Sequence, residues 1–274
     1  MPSLRIAESP LALHTKPIEI HYREWGEGTP LIFLHGGWGY EVYPIDSQVA
    51  LLQDRYRILA ADRTGFGRST RIERLPDQFH RAAAVETILV LDRLGIKRAI
   101  FWGHSDGAVI AAIIGLTYPE RAIGLVLEAF HYDRKKKRSV EFFESMVREP
   151  ERIGHRASSA MARDHGDSYW RQVLEAGGNA WLRIIEESAD PRKDFYHNSL
   201  SELSVPAVFI HGELDPRTEP GELDAVRAEL PDSPIHVIEG AGHSPHSEPA
   251  ARDQCNQIAS RFLDRIRAIG NNLE

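Results

Sequence analysis

The chain has 274 residues, 42% hydrophobic and 27% charged, an ordinary globular composition that can bury one sizeable core. Its net charge of −7 argues against a nucleic-acid partner, which needs a basic face. Its one cysteine, Cys255, excludes an internal disulfide, and no run reaches the roughly 18 apolar residues a spanning helix needs, so no membrane partner is expected. Residues 1–16 hold no basic stretch followed by an apolar one, so no secretory signal is expected and the location reads as cytoplasmic.

In chain order, residues 1–16 read as irregular, and Ile18–Trp25 alternates as a half-buried strand does. Pro30–His35 is a continuous apolar run, the mark of a central parallel strand. It ends in the loop His35-Gly36-Gly37-Trp38-Gly39. A helical stretch over 44–54, a strand over Tyr56–Ala61 and the loop Asp62–Ser69 follow. Pro76-Asp77 opens a helix that reaches about Leu94 and closes at Gly95. A strand over 98–102 then runs into Gly103-His104-Ser105-Asp106-Gly107, an apolar helix over Ala108–Ile114 and a strand over Ala122–Leu127. This rhythm predicts a mainly parallel sheet with helices on both faces, and chemistry at the strands' carboxyl ends.

From residue 130 to 203 the rhythm stops, and the segment is charged, helical in pattern and dotted with aromatics. It reads as a helical cap over a core made of residues 1–129 and 204–274. Within it, Arg134-Lys135-Lys136-Lys137-Arg138 reads as a solvated helix start. The sheet resumes at Val205–His211, followed by a helix over 220–230, a strand over Ile235–Ile238 and a closing amphipathic helix over 248–268 that buries Cys255.

Gly103–Gly107 matches Gly-x-Ser-x-Gly between a strand and a helix, the setting of a nucleophile elbow. A serine hydroxyl is a poor nucleophile at neutral pH and needs a base, and the base needs an orienting acid. Ser105, Asp215 and His243 fall in the order Ser…acid…His with Asp215 and His243 each in a loop just past a strand. Glu128 is the reserve acid and His246 the rival base, while His104 reads as packing behind the elbow. An oxyanion needs amide donors, for which the backbone N–H groups of Asp106 and Gly37 are the candidates. The Asp106 side chain has two readings: a charge favoured at a helix N-terminus, or a carboxylate facing the pocket. No zinc-like histidine–carboxylate spacing and no dinucleotide fingerprint is present, so neither metal nor cofactor is expected.

The motifs His35-Gly36-Gly37, Asp62–Ser69, Gly103–Gly107, His211–Pro216 and Gly240–His243 together resemble the α/β-hydrolase superfamily over nearly the whole length. More narrowly, Ser105-Asp106-Gly107 and the stretch Tyr169-Trp170 to Ile185 are similar to the biphenyl-hydrolase-like group, which includes valacyclovir hydrolase. The resemblance implies a mainly parallel eight-stranded α/β sheet with a helical cap after the sixth strand. It implies a serine hydrolase that cleaves small carboxylic esters through an acyl-enzyme, as a monomer or homodimer. The narrower resemblance extends this to α-amino-acid esters and gives Asp106 the ammonium-binding role. Trp38, Trp170 and Trp181 are the candidate substrate-contacting aromatics. One departure is Pro220, which arrives a residue later than the pattern expects after Asp215. Carbon–carbon bond hydrolases and lactonases use the same triad and stay open as alternatives, as does a non-catalytic binding protein.

Overall fold

The computed structural model describes residues 2–190 and 195–271; Met1, residues 191–194 of the expected cap and residues 272–274 lie outside the described residues. Eight strands form one sheet: β1 (Ser3–Ile6), β2 (Ile18–Trp25), β3 (Thr29–Leu34), β4 (Tyr56–Ala61), β5 (Ala99–His104), β6 (Ala122–Glu128), β7 (Ala207–Gly212) and β8 (Ile235–Ile238). Their order is β1-β2-β4-β3-β5-β6-β7-β8, with β2 antiparallel to β1 and β4 and every later pairing parallel. β1 corrects the reading of residues 1–16 as irregular. Its four residues bury only Ile6, too short a pattern to show a period, and its register is set by pairing with Ile18–His21.

The central strands alternate across the two faces, as a pleated strand must. Leu31, Phe33, Ile100 and Trp102 point to one face, which α1 (Asp46–Leu52) and α8 (Arg252–Asn271) cover. Cys255 is buried there in α8, as expected. Ile32, Leu34 and Phe101 point to the other face, covered by α2 (Phe79–Arg93) and α3 (Asp106–Thr117). Both faces being covered explains why these strands read as continuous apolar runs. Among the described residues no helix is long and apolar enough to cross a membrane.

Between β6 and β7 the described residues form no strand; the helices there are α4 (Val140–Arg148), α5 (His155–His165) and α6 (Trp170–Glu186). The basic run at the entry differs from its expectation. Lys135, Lys137 and Arg138 are exposed, but the Lys136 side chain is 1% exposed and pairs with Glu222 at the start of α7 (Glu222–Glu229). Arg134 is also buried and donates to the carbonyls of Ser188 and Asp190 at 3.1 and 2.9 Å. The Glu222 carboxylate accepts three further backbone N–H groups, from Tyr132 at 2.7 Å, Asp133 at 2.9 Å and Glu219 at 2.8 Å. Lys136 and Glu222 are 86 residues apart, so no local pattern announces the pair.

Glu222 therefore clasps the start of the insertion to the core. Glu222→Ala would leave a buried ammonium without its counter-charge and three N–H donors without an acceptor. Its expected cost is about 3–5 kcal/mol of unfolding free energy. Denaturant titration checks this; a loss below about 1 kcal/mol, the value of an exposed pair, would refute the clasp.

Candidate active site

The site grows from the turn between β5 and α3. Ser105 has φ 55° and ψ −120°, a left-handed conformation that a side-chain-bearing residue adopts only when its surroundings over-determine it. The determinants are two glycines. A Cβ on Gly103 would lie 2.1 Å from the Gly107 carbonyl oxygen, and one on Gly107 would lie 1.9 Å from that of Leu34. Without side chains there, β3, β5 and α3 close tightly enough to hold Ser105 at the sheet's carboxyl edge.

His243, past β8, places Nε2 3.0 Å from Ser105 Oγ. Its Nδ1 lies 2.9 Å from both carboxylate oxygens of Asp215, in the loop after β7. Asp215 also accepts the Arg217 backbone N–H at 2.8 Å. Burial alone would raise the Asp215 pKa, but the charge and hydrogen bond of His243 outweigh it and hold the carboxyl below the usual range. The three sequence candidates are thus brought together in one chain of hydrogen bonds.

The reserve candidates are occupied elsewhere. Glu128 accepts from Trp102 Nε1 at 3.1 Å and from His246 Nδ1 at 2.7 Å, behind the elbow. Although burial opposes it, the His246 charge and hydrogen bonds hold the Glu128 pKa down to about 2. Burial pulls His246 the other way, but Glu128 outweighs it and raises its pKa, and the ring is engaged with Glu128 rather than with Ser105. His104 places Nε2 3.1 Å from the His243 carbonyl and 3.0 Å from Ser244 Oγ, and burial drops its pKa to about 3. It packs behind the elbow, as expected. The ligand atoms of His104, Glu128 and His246 lie within 4.8 Å of one another. Two of the three, His246 and Glu128, are hydrogen-bonded to each other at 2.7 Å.

The loop after β3 is shaped by Arg63, which sequence reasoning missed. Its buried guanidinium donates to the His35 carbonyl and, at 3.2 Å, to that of Gly36. In a trans peptide the next N–H points opposite the carbonyl, so the Gly37 N–H turns away from Arg63. Gly37 itself lines the cavity. From α5, His165 donates to the Trp38 carbonyl at 3.2 Å and accepts the Gly67 N–H at 2.8 Å, tying two loops to the insertion.

Ser105 and His243 open on a cavity of about 200 Å³ whose walls include Trp38, Phe142 and Trp181. Trp170 corrects the expectation. It is buried outside this lining, with its ring under the Arg171 guanidinium at 4.4 Å. The Asp106 side chain faces the cavity. Its Oδ1 accepts from His80 Nε2 at 2.9 Å and Trp181 Nε1 at 3.1 Å, and Oδ2 faces Gly37. Burial alone would raise its pKa, but His80, Arg63 and Trp181 hold it below the ordinary value, so it is a carboxylate at neutral pH.

His131, just past β6, is a second residue that sequence reasoning missed. Its Nε2 lies 3.3 Å from Ser105 Oγ, and its ring stacks on that of His243 at 5.8 Å. Burial, then the charge of Lys136, push its pKa well below that of a free imidazole, and its buried Nδ1 has no partner. Its position past a parallel strand's carboxyl end was the available signal. A larger open groove of about 820 Å³ runs between residues 11–15 and 71–76, but it contains none of Ser105, Asp215 and His243.

Residues 31–252 match the model of the alpha/beta hydrolase family. The bifunctional esterase/perhydrolase DCH of Acinetobacter calcoaceticus is 27% identical over 223 residues, covering 72% of this chain and 79% of that protein. The serine hydrolase BPHL of Homo sapiens is 24% identical over 250 residues, covering 90% and 83%. A thermophilic esterase from Thermogutta terrifontis superposes with a TM-score of 0.71 at 22% identity, covering 97% of this chain and 99% of that one. The protein, with its eight-stranded mainly parallel sheet and loop-borne Ser105, belongs to the alpha/beta hydrolase family and is a hydrolase.

Proposed function

We propose that the protein cleaves small carboxylic esters through an acyl-enzyme, with Ser105 as nucleophile, His243 as base and Asp215 as its orienter. The observation that carries this is the unbroken chain Asp215–His243–Ser105 at the wall of a cavity. Ser105 Oγ attacks the carbonyl carbon while its proton passes to His243 Nε2. The backbone N–H groups of Gly37 and Asp106 receive the oxyanion, and His243 then returns the proton to the departing alkoxide oxygen. Water repeats the sequence on the acyl-serine and releases the acid. Asp215 stabilises the imidazolium that forms in each half.

His131 reaches the same oxygen but fits a different task. No carboxylate stands behind its Nδ1, and burial resists its protonation, so it cannot hold a proton between steps. It serves as a neutral donor that orients Oγ. Phe142 and Trp181 wall the cavity from the insertion, which supports reading residues 130–203 as a lid over a core of 1–129 and 204–274. Asp106 Oδ2 has no hydrogen-bond partner among the described residues and stands beside the site of the acyl group, which suits the ammonium of an α-amino ester. The relatives named above as esterase and serine hydrolase support the ester reading. Lactones and carbon–carbon bonds are alternative substrates of the same groups, but neither needs the cation site that Asp106 provides.

Ser105→Ala should lower hydrolysis of p-nitrophenyl acetate and butyrate by about 10⁴-fold or more, and full retained activity would refute the mechanism. His243→Ala should approach that loss, whereas His131→Ala should stay within about tenfold of wild type; comparable losses would make His131 a second base. Asp106→Asn should raise KM for an α-amino ester by about 10–100-fold and leave its N-acetyl analogue nearly unchanged. Equal changes on both substrates would remove the ammonium role.

A further inference from the structure

Among the described residues, three buried cations are matched. Lys136 meets Glu222, Arg63 meets the carbonyls of His35 and Gly36, and Arg134 meets those of Ser188 and Asp190. Arg217 is different. Its side chain is half-buried in the wall of the active-site cavity, two residues beyond Asp215. Its guanidinium carbon lies 3.6 Å from the centre of the Phe142 ring. Its Nη1 is buried and has no hydrogen-bond partner, and among the described residues the guanidinium forms no ion pair. With one face of the guanidinium plane against the Phe142 ring, the N–H edges remain for a ligand. A planar fork of such donors is the protein group best matched to the two oxygens of a carboxylate.

The position also says which part of a substrate would meet it. His243 hands its proton to the leaving oxygen, so groups flanking His243 face the leaving half of the substrate. Arg217 enters the cavity wall from the loop that carries Asp215, the acid behind His243, and its backbone N–H donates to Asp215 at 2.8 Å. Asp106 is on the other side, at the start of the elbow helix and beside Gly37. The cavity therefore carries both signs of charge, with the Asp106 carboxylate beside the acyl half and, from the Asp215 loop, a guanidinium whose one nearby carboxylate, Asp215, is already hydrogen-bonded to His243. We infer that Arg217 is the docking site for a carboxylate on the leaving half of the substrate, so that the preferred substrates are esters of hydroxy or phenolic carboxylic acids. This rests on the serine-hydrolase reading above and adds a specificity residue to it.

A matched pair of substrates tests it: 4-acetoxybenzoate, with a carboxylate on the leaving phenol, and the neutral 4-acetoxybenzamide. Wild-type protein should favour the carboxylate by about tenfold or more in kcat/KM, chiefly through KM. Arg217→Gln should abolish that preference, lowering kcat/KM on the carboxylate about tenfold more than on the amide. A readout independent of turnover is inhibition of p-nitrophenyl acetate hydrolysis by the two phenols. 4-Hydroxybenzoate should inhibit wild type about tenfold more strongly than 4-hydroxybenzamide, and equally in Arg217→Gln. The inference is overturned if wild type shows no preference in either readout, or if the substitution alters both members of a pair alike. It is also overturned if the dependence on Arg217 appears only for an anion on the acyl half, as in mono-p-nitrophenyl glutarate. Loss of p-nitrophenyl acetate hydrolysis itself would count against the serine-hydrolase reading instead, so the two failures are distinguishable.

Discussion

Close approach of backbone at the β5–α3 turn is the constraint on which the rest depends. Gly103 and Gly107 let three segments pack within distances that no Cβ permits, and the strained Ser105 is the consequence. The strand and helix that meet there are buried throughout: all twelve positions from Ala99 to Ile110 are buried, the polar His104, Ser105 and Asp106 included. The strain is held by this core.

Around that turn the molecule sorts its buried charge by purpose. Behind the elbow, Glu128 and His246 neutralise each other and leave His104 as neutral packing. At the insertion's entry, Lys136 and Glu222 do the same, with three backbone donors completing the carboxylate's shell. In the cavity the pattern changes. Asp215 is fully engaged with His243, yet Asp106 keeps one free oxygen and Arg217 one free N–H edge. Desolvated groups left partly unmatched in a site, where matched ones surround it, are the expected footprint of a ligand with complementary charge.

The two histidines at Ser105 Oγ show why proximity alone does not assign a role. They lie at 3.0 and 3.3 Å from the same oxygen with nearly parallel rings. What separates them is the group behind each ring: a carboxylate for His243 and none for His131. An imidazolium formed at His243 is stabilised at once, whereas one formed at His131 would sit in a desolvated pocket near the Lys136 ammonium.

Much of the architecture was legible in the sequence because it is written locally. Parallel strands covered on both faces must be apolar throughout, and a turn that admits no Cβ must carry glycines, so the strand–elbow–helix unit and the loop positions of Ser105, Asp215 and His243 follow from short-range pattern. The four-residue β1 was invisible because its register comes from β2, not from its own period. Lys136 looked like a solvated cation because its partner is 86 residues away. Trp170 and Trp181 share one helix, and only its docking on the core decides that Trp181 meets the cavity and Trp170 does not. His131, Arg63 and Arg217 likewise became site residues through contacts across the fold. Sequence alone thus determined the sheet apart from β1, the elbow and the order of the candidate triad, since each rests on neighbours a few residues apart. Tertiary structure decided which side chains share the cavity and which charges stay unmatched there, because those depend on how distant segments pack.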